Sequence, residues 1–296
     1  MHADQLTVSV DVVRRLVGDQ FPRWRRLDVE AVSSTGTVNA LFRIGDRLAA
    51  RFPLVSAGVD QTRAVLEREA EAARELCGRT PVPTPRPVAI GSPGEGYPLP
   101  WAVQTWLPGT AATPDTPGTS LRLARDLAGF IAALREMDTR GRRFAGTGRG
   151  GSLPDHDDWM EVCFRSSEHL LDVRRLRGLW REMRALPRIG ADAMTHGDLI
   201  PANLLVDGDR LVGVLDAGGF GPADPALDLV VAWHLLEAEP RREMRMMLGC
   251  DDLEWARGMA WAFQQSMGAV WYYQRTNRPM SRMGEQTLRR IVSDSY

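Results

Sequence analysis

The chain has 296 residues, 44% of them hydrophobic and 25% charged, with a formal net charge of −1. That length allows two separate cores, the composition is that of an ordinary soluble globular protein, and the balanced charge gives no reason to expect nucleic acid as a partner. Three widely spaced cysteines (Cys77, Cys163, Cys250) with no C-x-x-C pair argue against a disulfide framework or a cysteine zinc site.

The opening segment has no basic stretch ahead of an apolar one, so it does not read as a secretion signal. The first third reads as mainly strands. "NALFRIGDRLAARFPL" is two strand-like segments joined at Gly45-Asp46, a hairpin signal. Residues 59–76 are rich in helix formers and put Val65, Leu66, Ala70, Ala73 and Leu76 on one stripe. The closely spaced prolines of "TPVPTPRPVAIG" require an extended chain, and "PLPWAVQTWLPG" is a buried strand stopping at Pro108-Gly109. "PGTAATPDTPGTS" then reads as a linker or mobile loop, and the chain beyond it is mainly helical. Leu123, Leu127, Phe130, Ile131 and Leu134 share one helix face; Leu176, Leu179, Trp180 and Met183 share another. Between them "DTRGRRFAGTGRGGSLPDHDD" reads as an irregular, charged insertion. Further helices are expected over Ala226–Leu236, Leu253–Tyr273 and Met280–Val292. The longest apolar run, "LDLVVAWHLL", is too short to span a bilayer, so no membrane is expected and the expected location is cytoplasmic.

The most informative stretch is "THGDLIPANLLVDGDRLVGVLDAGGFGPADPALDL". A packed core has no use for aspartates at that density. "HGDLIPAN" places Asp198 and Asn203 around a proline, in a loop. "LLVDGDRLVGVLD" is a hairpin with Asp207-Gly208 at its turn, which should bring Asn203 and Asp216 together with Asp198 close by. Converging oxygen donors beside a further carboxylate suit a hard divalent cation such as Mg²⁺, with water and phosphate completing its shell. Phosphoryl transfer needs such an ion and a separate carboxylate to position the attacking hydroxyl. The remaining histidines show no ligand spacing for a metallohydrolase, and His234 reads as a packed core residue.

The spacing H-G-D-x-x-x-x-N at His196–Asn203 resembles the kinase catalytic loop, with Gly197 where protein kinases usually carry arginine. Asp216–Gly218, "DAG", resembles the metal-binding D-F-G. Together with "ADPALDL", the stretch resembles the aminoglycoside phosphotransferase family, the antibiotic-modifying small-molecule branch of the kinase-like fold. The resemblance is strongest over about residues 194–236 and includes the small-lobe sequence "SSTGTVNALFRIGDRLAARFP". It implies an α+β, two-lobed protein-kinase-like fold with a small β-rich N-lobe and a larger, mainly helical C-lobe. The division falls at residues 1–105 and 106–296, with a hinge at about 103–109. It implies Asp198 as catalytic base or hydroxyl-positioning residue, Asn203 and Asp216 as Mg²⁺ ligands, and His196 as a structural brace. Asp224 and Asp228 would cap a helix and tie the catalytic loop, and an acidic helix start is favoured on physical grounds alone.

The nucleotide, ATP or GTP, would lie against the small lobe. Ser34, Thr35, Gly36 and Thr37 stand where a phosphate-covering loop belongs, although a plain turn fits the same residues. Arg51 of "LAAR" occupies the place of the V-A-I-K lysine, in a chain whose 37 basic residues are all arginine. Arginine keeps the charge and can fork onto phosphate or carboxylate, but it is bulkier. Its partner would be Glu69, with Glu67 and Glu71 as alternatives. Gln104, Thr105 and Trp106 would offer mainly backbone groups to the base, and Trp106 either packs on the base or belongs to the core. The acceptor is a hydroxyl-bearing small molecule. Asp155, Asp157, Asp158, Glu237 and Glu239 are its acidic candidates, each equally readable as a solvated charge. An aminoglycoside, a macrolide and an endogenous sugar or amino alcohol all fit. A metabolic small-molecule kinase and a catalytically silent nucleotide-binding module are the competing functions.

Overall fold

The computed structural model describes residues 6–33, 39–55, 57–146, 148–188 and 190–294. The chain divides into two compact units. The first runs to Gly78 and adds Pro83–Pro108 and Leu215–Gly218; the second holds Arg79–Val82, Gly109–Val214 and the chain from Gly219 onward. The main boundary, at Pro108-Gly109, thus falls three residues beyond the 105/106 division drawn from sequence, and four residues around Asp216 return to the first unit.

The first unit is not mainly strands, as its sequence suggested, because two helices flank its sheet. Helix α1 (Val10–Gln20) starts where Ser9 accepts the amide of Val12, and it buries Val13, Leu16 and Val17. Its valines favour strand on propensity, but the i, i+3, i+4 spacing of the buried residues is helical, and tertiary packing decides. Strands β1 (Val29–Val32), β2 (Asn39–Ile44) and β3 (Leu48–Pro53) come next. Gly45, at φ +52°, opens the β2–β3 turn in a conformation glycine adopts freely. Helix α2 (Val59–Leu76) buries Thr62, Leu66, Ala70 and Leu76, leaving Val65 and Ala73 half-buried. Strands β4 (Pro87–Gly91) and β5 (Trp101–Thr105) complete an antiparallel sheet of order β1-β2-β3-β5-β4.

An aromatic cluster fills this unit's core: Trp101 stacks on Phe52 with ring centroids 4.8 Å apart, and Tyr97 and Phe42 meet Phe52 edge-on. Gly91 lies opposite Trp101 in the β4–β5 register, and a Cβ there would stand 2.2 Å from the indole.

The second unit opens with strand β6 (Thr110–Ala111), which pairs with a later strand, while the Ala112 amide donates to the Leu204 carbonyl. The segment expected to be a linker or mobile loop is therefore fastened along its first residues. Helix α3 (Leu121–Arg135), capped by Ser120, buries the predicted Leu123, Leu127, Phe130, Ile131 and Leu134. Helices α4 (Asp157–Ser167) and α5 (Val173–Met183) succeed it. Helix α4 is hidden in sequence because its acidic first turn runs straight on from the charged insertion. Strand β7 (Ala193–Thr195) leads to the H-G-D loop; β8 (Leu204–Asp207) and β9 (Arg210–Val214) form the expected hairpin; β10 (Gly221–Ala223) pairs back on β7. The hairpin turns on Gly208-Asp209, one residue past the predicted pair.

Four helices end the chain: α6 (Val230–Leu235), α7 (Ala238–Leu248), α8 (Asp252–Tyr272) and α9 (Arg278–Asp294). Helix α7 was not foreseen, since Pro240 reads as a breaker; it sits in the helix's first turn, where a missing amide costs nothing. Helix α8 is the unit's centre, with Trp261, Phe263 and Met267 fully buried and Gly258 against Leu229. His234 is a core residue, bonded to Thr287 and Gln265, and burial pushes its pKa down to about 4. Among the described residues no helix is long and apolar enough to cross a membrane.

Replacing Gly91 with alanine should overpack the first unit's core and cost about 3 kcal/mol. Urea unfolding of Gly91→Ala, followed by tryptophan fluorescence, should show a midpoint well below that of the parent chain.

Candidate active site

Strand β7 delivers the chain to His196, and two consecutive amides there are taken by one side chain. The Asp228 carboxylate accepts from His196 N at 2.7 Å and from Gly197 N at 3.0 Å, and it is itself buried. Burial holds the Asp228 carboxyl above the ordinary carboxylate range, while the neighbouring His196 and the two amide bonds oppose that rise. His196 is fully buried, and its ring meets Phe130 of α3 edge-on. Gly197 has φ +81°, and a Cβ there would lie 2.6 Å from the Gly219 carbonyl oxygen. A side chain at this position is therefore excluded twice over, by backbone conformation and by space.

The loop presents Asp198 with both carboxylate oxygens engaged. Asn203, at the end of a short 3₁₀ turn, donates its amide nitrogen to Asp198 Oδ2 at 3.0 Å and to the Asp198 carbonyl at 2.9 Å. With the nitrogen turned to Asp198, the Asn203 amide presents its oxygen on the opposite side. Asp198 Oδ1 accepts from Arg149 at 3.0 Å. Sequence reasoning missed Arg149. Its signal was the glycine density of "GRGG": at Gly150 (φ +101°) and Gly151, side chains would collide with Ala223 and Phe144.

Asp224 ties other elements together. Its Oδ1 accepts the Ala226 amide, as a cap does, while its Oδ2 accepts from Arg257 at 2.5 and 3.0 Å and from the Trp261 indole at 3.0 Å. The Asp224 amide in turn donates to the Gly150 carbonyl, so it is Asp228 and not Asp224 that grips the H-G-D backbone. Arg257 and Trp261 were not foreseen in these roles.

The first unit carries the other half of the candidate residues. Arg51 on β3 lies opposite Ala102 of β5. Its guanidinium is 3.3 Å from Glu69 on α2 and 3.7 Å from Asp216. Helix register selects among the three glutamates, since Glu69 is half-buried beside Leu66 and Ala70 whereas Glu67 and Glu71 are exposed. Burial pushes the Glu69 carboxyl above its ordinary value, an effect that Arg51 opposes and Asp216 reinforces. Asp216 itself has φ +61° and accepts the Gly218 amide at 3.2 Å. Arg51, Glu69, Gln104 and Asp216 line one cavity.

Trp106 is fastened within the first unit. Its amide donates to the Arg47 carbonyl, and the Arg43 guanidinium lies over its ring at 5.2 Å. The Thr105 amide likewise donates to Arg86, so both amides are already spent. Ser34, Thr35, Gly36 and Thr37 lie outside the described residues. Of the acceptor candidates, Asp155 is exposed in the 3₁₀ turn before α4, Asp158 in the first turn of α4 and Glu239 on α7. Asp157 is bound by the Trp180 indole and by Arg184, and Glu237 by Arg290.

The oxygen donors of Asn203 and Asp216 are of the hard kind that Mg²⁺ takes, since this ion draws one or two ligands from protein and the rest from phosphate and water.

A family model described as a phosphotransferase enzyme family matches residues 30–261. Aminoglycoside 3'-phosphotransferases of Escherichia coli and Salmonella typhimurium are each 37% identical over 70 residues, which is 23% of this chain and 26% of theirs. The match thus spans about a quarter of those relatives' length. Among solved structures, the GDP complex of wild-type aminoglycoside 2'-phosphotransferase-IIIa superposes with a TM-score of 0.71 at 19% identity, covering 98% of this chain and 100% of that one. A macrolide 2'-phosphotransferase from Brachybacterium faecium gives 0.63 at 18% identity, covering 93% and 97%. The fold, a β-sheet N-terminal region and a helical C-terminal part, is the one these structures share.

Changing Asp228 to asparagine sets an NH₂ group against a backbone donor and should cost about 2 kcal/mol. The expected signature is local: faster hydrogen exchange at His196 and Gly197 in Asp228→Asn, with protection of α8 retained.

Proposed function

Because the chain belongs to the phosphotransferase enzyme family, we propose that it is a small-molecule O-phosphotransferase. It moves the γ-phosphoryl group of ATP or GTP to a hydroxyl of an antibiotic, an aminoglycoside or a similar compound. The observation that carries this reading is the held carboxylate of Asp198, whose orientation is set by Asn203 in a loop gripped by Asp228.

In this reading Asp198 receives the acceptor hydroxyl and takes its proton. The hydroxyl oxygen forms the new bond to phosphorus, and the bond to the bridging oxygen breaks with its electron pair leaving on the nucleoside diphosphate. A transition state of this loose kind asks for position and charge neutralisation more than for a strong base. Asn203 and Asp216 would hold Mg²⁺, which neutralises the phosphate oxygens when bound. Arg51 supplies the cation directed at the phosphates, and its contact with Glu69 orients it. The same guanidinium also lies beside Asp216, so one planar group faces two carboxylates.

The test is Mg²⁺-dependent phosphorylation across aminoglycosides, macrolides, peptide antibiotics and aminosugars, with ATP and with GTP. The product is identified by its mass. A responding acceptor in the wild-type chain should lose at least a thousandfold in kcat in Asp198→Ala, at nearly unchanged nucleotide affinity. Equal turnover in the two proteins would contradict the assignment.

A further inference from the structure

The charge beside Asp198 bears on which acceptor it can receive, an inference that rests on the phosphotransferase reading above. Arg149 Nη2 lies 3.0 Å from Asp198 Oδ1, and the two side chains are 36% and 31% exposed, so this charge faces solvent and is not sealed in the core. Its position is built into the backbone. The Gly150 carbonyl accepts the Asp224 amide at 2.9 Å. A Cβ on Gly150 would lie 2.7 Å from Ala223, and one on Gly151 would lie 2.6 Å from the Phe144 ring. The glycines let the loop press against its neighbours and root the arginine beside the carboxylate.

We propose that Arg149 is a specificity-determining residue: it selects an acceptor whose receiving hydroxyl is flanked by neutral or anionic groups, and disfavours one flanked by ammonium groups. Asp198 has its second oxygen on Asn203 and its first on a guanidinium, so its negative charge is already matched. An ammonium group arriving there meets a fixed positive charge at close range. Of the five acidic candidates, two are matched by arginine, Asp157 by Arg184 and Glu237 by Arg290, while Asp155, Asp158 and Glu239 are exposed to solvent, which screens them. Asp198 keeps its task, because a loose transition state asks for an oriented carboxylate more than for a strong base.

The test uses matched acceptors, an aminosugar antibiotic and its N-acetylated form, which removes the charge and keeps the hydroxyl. kcat/KM is measured for both with wild-type protein, Arg149→Gln, Arg149→Lys and Arg149→Glu, each checked for an unchanged melting temperature. Comparing the ratio across the four proteins cancels the bulk of the acetyl group. Wild-type and Arg149→Lys should favour the N-acetylated member by about tenfold relative to Arg149→Gln. Arg149→Glu should favour the free amine, and the KM for nucleotide should stay constant. A merely structural role would not invert the preference with the sign of the charge. A ratio indifferent to the charge at position 149, or a wild-type preference for the free amine that Arg149→Gln does not strengthen, overturns the proposal. Turnover that is lost in Asp198→Ala yet indifferent to residue 149 overturns this inference alone. Absent turnover by the wild-type chain, or turnover that survives in Asp198→Ala, overturns the phosphotransferase reading and this inference with it.

Discussion

One buried carboxylate fixes the course of the H-G-D loop. Asp228 stands at the start of α6 and accepts two successive amides, His196 N and Gly197 N. A backbone bonded at two adjacent points has little freedom left, and the glycine just before Asp198 cannot be replaced without striking Gly219. Asp198 therefore leaves the loop in a determined direction. Burying a charged group is costly without hydrogen bonds to match it, and two amides are what such a carboxylate requires. The same logic recurs at Asp224, whose carboxylate is satisfied by the Ala226 amide, Arg257 and the Trp261 indole and which joins the loop before α4 to the centre of α8. Losing Arg257 from that group would leave the buried Asp224 carboxylate without its counter-charge.

Arginine as the only basic side chain besides histidine shapes the chemistry. The Arg51 guanidinium reaches both Glu69 and Asp216. At Arg257 the same planar fork meets a buried carboxylate through two nitrogens. On Asp198 it sets a permanent positive charge beside the carboxylate assigned to the acceptor hydroxyl. One residue type thus supports the core at one place and meets the carboxylates of the candidate site at the others.

Much of this was legible in the sequence where the signal is local. The hairpins announce themselves through Gly45 and Gly208, and α2, α3, α8 and α9 through apolar spacing. The family match over residues 30–261 and the shared fold bear out the resemblance carried by "HGDLIPAN" and "DAG". The parts that stayed hidden did so for physical reasons. Helix α1 is built from valines that favour strand until packing overrules them, and α7 carries a proline in the one turn that accepts it. Arg149, Arg257 and Trp261 reach their aspartates across 49, 33 and 37 residues, contacts that no local pattern encodes. Their trace was indirect, in glycines where the chain packs too closely for a side chain.

We propose that Asn203 and Asp216 hold a metal-bound nucleotide for transfer at Asp198. Calorimetric titration of a non-hydrolysable ATP or GTP analogue, with and without Mg²⁺, tests it most directly. The wild-type chain should bind the nucleotide more tightly when the metal is present, and Asn203→Ala and Asp216→Ala should each lose that gain while Asp198→Ala keeps it. Nucleotide affinity in the wild-type chain that is indifferent to Mg²⁺, or a gain that survives both substitutions, would contradict the account.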